Sequence, residues 1–226
     1  MEQRHFLSLG TDGRLRLTRD DISERLAAGL DPRGRGDAML ERLVDGDEVP
    51  GRRALVDGPP RPAAVLVPLV EHDDGMTVLL TQRTAHLAHH PGQISFPGGR
   101  LEDDDRGDAV VAALRETEEE IGLSRDLVTI LGRLDHYVTG TGFIITPVVG
   151  VVRPPVATTP DPFEVAEVFE VPLEFLLDPE NHKLNRVVVE GRRRPFWSMT
   201  WEERVIWGAT AGMLVNLSDV LGAKCG

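Results

Sequence analysis

Residues 115–123 read Arg-Glu-Thr-Glu-Glu-Glu-Ile-Gly-Leu, at the end of a segment whose pattern and termini dictate a helix. Asp108 is a good N-cap, and Gly122 suits the left-handed position just past a helix C-terminus, so the helix is expected over 108–122. At roughly 100° per residue, Glu116, Glu119 and Glu120 fan over one face, while Val110, Leu114, Thr117 and Ile121 form the stripe expected to be buried. Glu118 points away from both, into solvent. Most Glu-rich helix faces are only solvated surface. Here, like charges three and four residues apart oppose the helix by about 0.2–0.5 kcal/mol per pair. Acids near a C-terminus also face the wrong end of the helix dipole. A hard divalent cation, which prefers oxygen ligands, turns that penalty into a binding site. Two neighbours favour this reading: Gly98-Gly99, after Phe96-Pro97, permits a close backbone approach to a ligand, and Arg115 can orient a carboxylate through its fork of donors.

The rest of the chain frames this helix. Residues 63–70 and 76–82 are short apolar runs separated by Asp73-Asp74-Gly75 and read as a hairpin. Residues 128–138 and 143–152 read as strands joined by Thr139-Gly140-Thr141-Gly142, and 161–172 as a loop followed by a strand. Residues 186–199 read as a hairpin about Glu190-Gly191. A last helix is expected over 201–217, opened by a capping box of Thr200 and Glu203. Interleaved strands and helices give an α/β sandwich with a mixed sheet. Before it, residues 1–60 hold two short helical patterns, one starting at Thr18 with Asp21 as its capping partner and one over 37–44. A stiff Pro-rich break at 58–62 separates this N-terminal helical extension from a domain over 61–226.

A net charge of −12 argues against nucleic acid, which requires a basic face. It permits a small anionic substrate, because a bound metal reverses the local sign. No apolar run approaches membrane-spanning length, and no secretion signal follows Met1. The single cysteine, Cys225, can build neither a disulfide framework nor a thiolate metal site. These features suit a cytoplasmic protein with no membrane partner. Trp201 and Trp207 would not share a helix face, so Trp197, Trp201 and Trp207 are expected in the core or at a homodimer interface rather than as a nucleobase platform.

Gly99 followed by Arg115-Glu116-Thr117-Glu118-Glu119-Glu120-Ile121-Gly122-Leu123 resembles the Nudix box. Its fixed residues in the Arg-Glu-x-x-Glu-Glu-x-Gly half would match by chance on the order of once in 10⁶ starting positions. The resemblance implies a Nudix α/β/α sandwich and metal-dependent cleavage of a nucleoside diphosphate linked to another group. It implies that Glu116, Glu119 and Glu120 hold Mg²⁺ or Mn²⁺. The first half departs from the pattern: Asp105 stands where the box has its first glutamate, and the loop before Arg115 is two residues longer. Glu102, Asp103, Asp104 and Asp105 are the candidates to pair with Arg115.

Upstream, Leu79-Leu80-Thr81-Gln82-Arg83-Thr84, then Gly92 and Phe96-Pro97-Gly98-Gly99, look like the extra motif of the coenzyme A pyrophosphatase branch. Thr84 replaces Ser or Ala, and Ala88, beside His89 and His90, stands where a second arginine is expected. The resemblance covers about 60–222 and implies hydrolysis of coenzyme A to 3′,5′-ADP and 4′-phosphopantetheine. Arg83, Gly98 and Gly99 become substrate-binding candidates, with Arg83 equally readable as a structural ion-pair partner. Glu119, Glu120 and Glu164 become candidates for accepting the proton of the attacking water. The alternatives are a Nudix hydrolase of ADP-ribose, NADH or another dinucleotide, and a non-catalytic nucleotide sensor.

Overall fold

The computed structural model describes residues 17–27, 35–36, 59–87, 90–189 and 192–222. The helical pattern expected over 37–44, together with Ala88, His89, Glu190, Gly191 and Cys225, lies outside the described residues.

The centre of the fold is β2 (Arg61–His72), whose run of Ala, Val and Leu is buried on both faces. Continuous apolar runs of this kind mark strands covered on both sides. Ala64 and Leu66 face one layer, and Val67 and Leu69 face the other. β2 pairs in parallel with β8 (Phe143–Val152) and antiparallel with β3 (Gly75–Arg83) through the turn at Asp73-Asp74. β9 (Val165–Pro172) extends the sheet beyond β3, and β4 (Ile94–Ser95) also pairs with β3. β5 (Gly98–Arg100) returns to β2 on the same edge as β3. The segment expected as one strand over 128–138 is two, β6 (Val128–Arg133) and β7 (Tyr137–Val138), both antiparallel to β8. Buried Leu134 and Asp135 lie between them, with Asp135 N–H donating to Asn216 Oδ1.

Helices cover both faces. α1 (Arg19–Ala27) opens with the expected reciprocal cap between Thr18 and Asp21. Its Ile22 and Leu26 join the main core, and Leu26 lies over Gly132 of β6. β1 (Arg35–Gly36) runs parallel to β7. α2 (Ala109–Ile121) carries the carboxylates and has the expected caps, Asp108 and a left-handed Gly122. Its buried face differs from the expected stripe. Ala109, Ala112, Ala113, Thr117 and Ile121 face inward, whereas Val110 and Leu114 are only half-buried. Small alanines let the helix axis approach the sheet, and the face so turned includes Glu120, which hydrophobicity alone excludes.

The C-terminal expectation is corrected. Residues 201–217 are not one helix. β10 (Lys183–Val189), β11 (Arg192–Trp201) and β12 (Arg204–Trp207) form a second, antiparallel sheet, and α4 (Ala209–Val220) starts only after Gly208. α3 (Leu173–Leu177) packs against α4. Thr200 and Glu203 make no cap because Thr200 pairs with Val205 across a hairpin. The run Val205-Ile206 favours a strand that buries Ile206, and Gly208 supplies the positive φ that ends it. The angular argument about Trp201 and Trp207 therefore falls, since both stand in strands. No described helix is long and apolar enough to cross a membrane.

Leu26→Ala is expected to lower unfolding free energy by about 2–5 kcal/mol in urea titrations, as for other large-to-small core changes. An unchanged midpoint would show α1 to be energetically separate from the sheet.

Candidate functional site

The register places β3 against residues 69–72 of β2 and β5 against residues 63–65. The sheet therefore opens along this edge, and Leu66 N–H crosses the opening to Pro97 O. Glu120 reaches in from α2 and accepts from Gly98 N–H at 3.2 Å. Only 8% of Glu120 is exposed. Burial pushes its pKa up to about 8, against the Gly98 hydrogen bond; the charges of Glu116 and Glu164 add to the rise, and that of Arg83 opposes it. Glu116 lies over Gly99 so closely that a Cβ there would overlap its carboxylate. Its pKa is likewise raised by burial, though Arg115 pulls it down. The glycine at 99 is thus required by the approach of Glu116.

Arg115 organises the acids. It donates through Nε and Nη2 to Asp105 at 3.0 and 2.9 Å, and through Nη1 to Glu116 and Glu119 at 3.1 and 3.0 Å. Asp105 is 1% exposed and also accepts from Glu102 N–H, and the guanidinium holds its carboxyl below the usual range. Of the four candidate acids in the lengthened loop, Asp105 is the partner. The short helical turn Asp103–Asp105, with left-handed Arg106, folds the longer loop so that Asp105 points inward. Glu119 is 59% exposed on the Arg115 side, and Glu118 pairs with Arg125 at the surface.

Glu164 arrives from a loop tied to the end of α2. Thr159 N–H donates to Ile121 O, Asp161 N–H to Glu120 O, and Thr84 N–H to Glu164 O. The Thr84 hydroxyl donates to Phe163 O at 2.8 Å. Arg83 ends β3 at an irregular register step and makes no ion pair with a carboxylate among the described residues.

On the α4 side of the opening lies a cavity of about 850 Å³. Gly98 and Gly99 border it, as do Arg61, Arg83, Arg100 and Arg194, and no described aspartate or glutamate does. In a chain with 37 acidic and 25 basic residues, that segregation favours an anionic ligand. His90 lines it too. Phe196 and Trp207, in edge-to-face contact, form a wall, while Trp197 and Trp201 pack against the core. Arg61, Arg100, Arg194, Phe143 and Phe196 escaped the sequence reading, because strand pairings distant in sequence bring them together, and Trp207, expected in the core or at an interface, lines the cavity instead.

The donor set fits a hard divalent cation: Glu116 and Glu120 are adjacent, mostly buried oxygen donors whose charges repel, and Glu119 lies beside them across Arg115. Among the described residues no three acidic or imidazole side chains are already gathered into a metal cluster.

A family model described as NUDIX domain matches residues 59–190. The chain belongs to the Nudix hydrolase family. With that family it is a hydrolase of phosphoric anhydrides. NudL of Escherichia coli (strain K12), described as an uncharacterized Nudix hydrolase, is 38% identical over 164 residues, 73% of this chain and 84% of NudL. NudL of Enterobacter sp. (strain 638) is 37% identical over the same shares. Among solved structures, an Ap4A hydrolase binary complex from C. elegans is 23% identical, with TM-score 0.42, over 50% of this chain and 81% of that one. RenU, a Nudix hydrolase from M. smegmatis, is 25% identical, with TM-score 0.44, over 51% and 73%.

Two outcomes test this geometry. Asp105→Asn leaves the Arg115 charge without its buried partner and should cost about 3–5 kcal/mol in chemical denaturation. For Glu120 the folded pKa lies above the unfolded one, so its contribution is full below about 4.5 and is lost as pH rises through about 8. The melting temperature of metal-free protein should fall over that window, and Glu120→Gln should flatten the fall. The same slope in both proteins would contradict the burial of a titrating Glu120.

Proposed function

We propose that this Nudix hydrolase cleaves the diphosphate of coenzyme A or its derivatives, giving 3′,5′-ADP and 4′-phosphopantetheine or its acylated form. The observation that carries the reading is the sheet opening at Gly98, where paired carboxylates on one side meet an arginine-lined, acid-free cavity on the other. The coenzyme A direction rests on the segment from Leu79 to Gly99, which matches that branch except at Thr84 and Ala88. The cavity volume, within the roughly 300–1,000 Å³ of small-molecule sites, has room for such a ligand. We place the reaction in the cytoplasm, where a chain with one cysteine needs no oxidising surroundings.

Glu116, Glu119 and Glu120 would hold Mg²⁺ or Mn²⁺. Bound there, the metal would supply charge neutralisation at the diphosphate and a lowered water pKa. Arg115 holds Glu116 and Glu119 in place from one side while Asp105 holds Arg115. Arg83, with no carboxylate partner among the described residues, serves the diphosphate. Gly98 and Gly99 let the substrate pass close to the backbone. An attacking water gives its proton to Glu119, Glu120 or Glu164. Glu164 fits best, because its loop is fastened to Thr84 and to the end of α2 and its charge is felt by Glu120.

Purified protein with Mg²⁺ should cleave coenzyme A faster than ADP-ribose, NADH or other dinucleotides, with products identified by mass; equal or faster turnover of a dinucleotide rejects the assignment. Glu120→Gln should abolish hydrolysis while the protein stays folded. Glu164→Gln should lower kcat by about 10²–10⁴ if it is the proton acceptor. Metal affinity by calorimetry should be lost in the first variant and kept in the second.

A further inference from the structure

Phe143 gathers two guanidinium groups. The Cζ of Arg61 lies 4.1 Å from the ring centroid and that of Arg100 lies 5.4 Å from it. Arg61 Nη2 also donates to Thr141 O at 3.0 Å, which fixes its fork beside the ring. Neither arginine makes an ion pair with a carboxylate among the described residues, in a chain where acids outnumber bases. Both line the cavity, as do Thr139 and Thr141. Two guanidiniums held on one ring repel each other, and a dianion bound by both removes that repulsion. Arginine suits this task because its planar fork stacks on an aromatic face while its N–H groups meet phosphate oxygens in pairs.

Strand register sets the Phe143 end of this pair apart from the place where Glu120 enters, with Arg100, opposite Ala63, reaching from β5 between the two. Gly98, which holds Glu120, stands opposite Val65 of β2, whereas Phe143 stands opposite Arg61. Four residues of strand span about 13 Å. Arg83, by contrast, is close enough for its charge to act on Glu120. A diphosphate drawn to Arg83 and the carboxylate helix therefore leaves the Arg61–Arg100 pair for another anionic group of the same ligand.

We propose that Arg61 and Arg100, held on Phe143, form a second anion subsite that binds a phosphate monoester on the ribose of the nucleotide, apart from the diphosphate that is cleaved. This rests on the reading of the cavity as the substrate site and names a feature of the substrate that the carboxylate helix does not require. The subsite selects nucleotides with the extra phosphate over otherwise identical ones without it.

The test uses matched ligands that differ by that phosphate alone. By calorimetry, 3′,5′-ADP should bind about tenfold tighter than 5′-AMP, and Arg61→Gln together with Arg100→Gln should bring the two affinities together. The ratio of kcat/KM for coenzyme A over 3′-dephospho-coenzyme A should fall in the same variants. Equal binding of the two mononucleotides by the unaltered protein overturns the subsite. An equal loss for both members of each pair also overturns it, because the arginines would then serve the diphosphate or the 5′-phosphate. If 3′,5′-ADP keeps its arginine-dependent preference while coenzyme A is not hydrolysed, the subsite stands and the coenzyme A assignment fails.

Discussion

The hydrogen bond from Gly98 N–H to Glu120 ties the carboxylate helix to β5 at the opening in the sheet. It exists because β5 is short, because it shares an edge of β2 with β3, and because α2 lies close to the sheet on small side chains. Larger residues at 112 or 113 would lift the helix away. A side chain at 99 would displace Glu116, and one at 98 would collide with the backbone of β2. The buried acid raises the energy of the metal-free fold, since its ionised form finds one backbone donor and two like-charged neighbours. A fold retains such a cost where binding recovers it.

Charge is sorted around that joint. The carboxylates come from α2 and from the loop that fastens its C-terminus, while the arginines come from strand ends and from β11. Arg115 is the exception, a cation among the acids, and the deeply buried Asp105 commits it to a structural role. That division explains how a chain of net charge −12 can offer an anion an attractive field.

Local features were legible in the sequence. The limits and caps of α2, the hairpin of β2 and β3, the cap of α1 and the glutamate spacing all depend on neighbours within a few residues. Illegible features depended on distant pairing. Nothing near Arg61 indicates that Phe143 lies beside it, because a parallel strand pair sets that contact. Asp105 could be narrowed only to one acid among four, because its choice follows from how a 3₁₀ turn points a side chain. The helix expected from Trp201 failed because Thr200 and Glu203 make a plausible cap in isolation, while the pairing of Thr200 with Val205 offers the same backbone a ladder and buries Ile206.

That last correction bears on specificity. The start of the segment read as one helix is instead strand, and it carries Trp207 to the cavity beside Arg194 and Phe196 of β11; all three lie beyond residues 59–190, where the family model matches. The part of the cavity set by the common domain holds Gly98, Gly99 and Arg83. The second sheet, whose β10 lies within the matched residues and whose β11 and β12 lie beyond them, adds an aromatic corner with one more guanidinium. The matched residues therefore include the carboxylate helix and the glycine loop, whereas one wall of the cavity is built by strands beyond them. An aromatic corner opposite a set of arginines suits a ligand with both a flat or apolar portion and several phosphates, and a phosphorylated nucleotide joined to a long neutral arm has both.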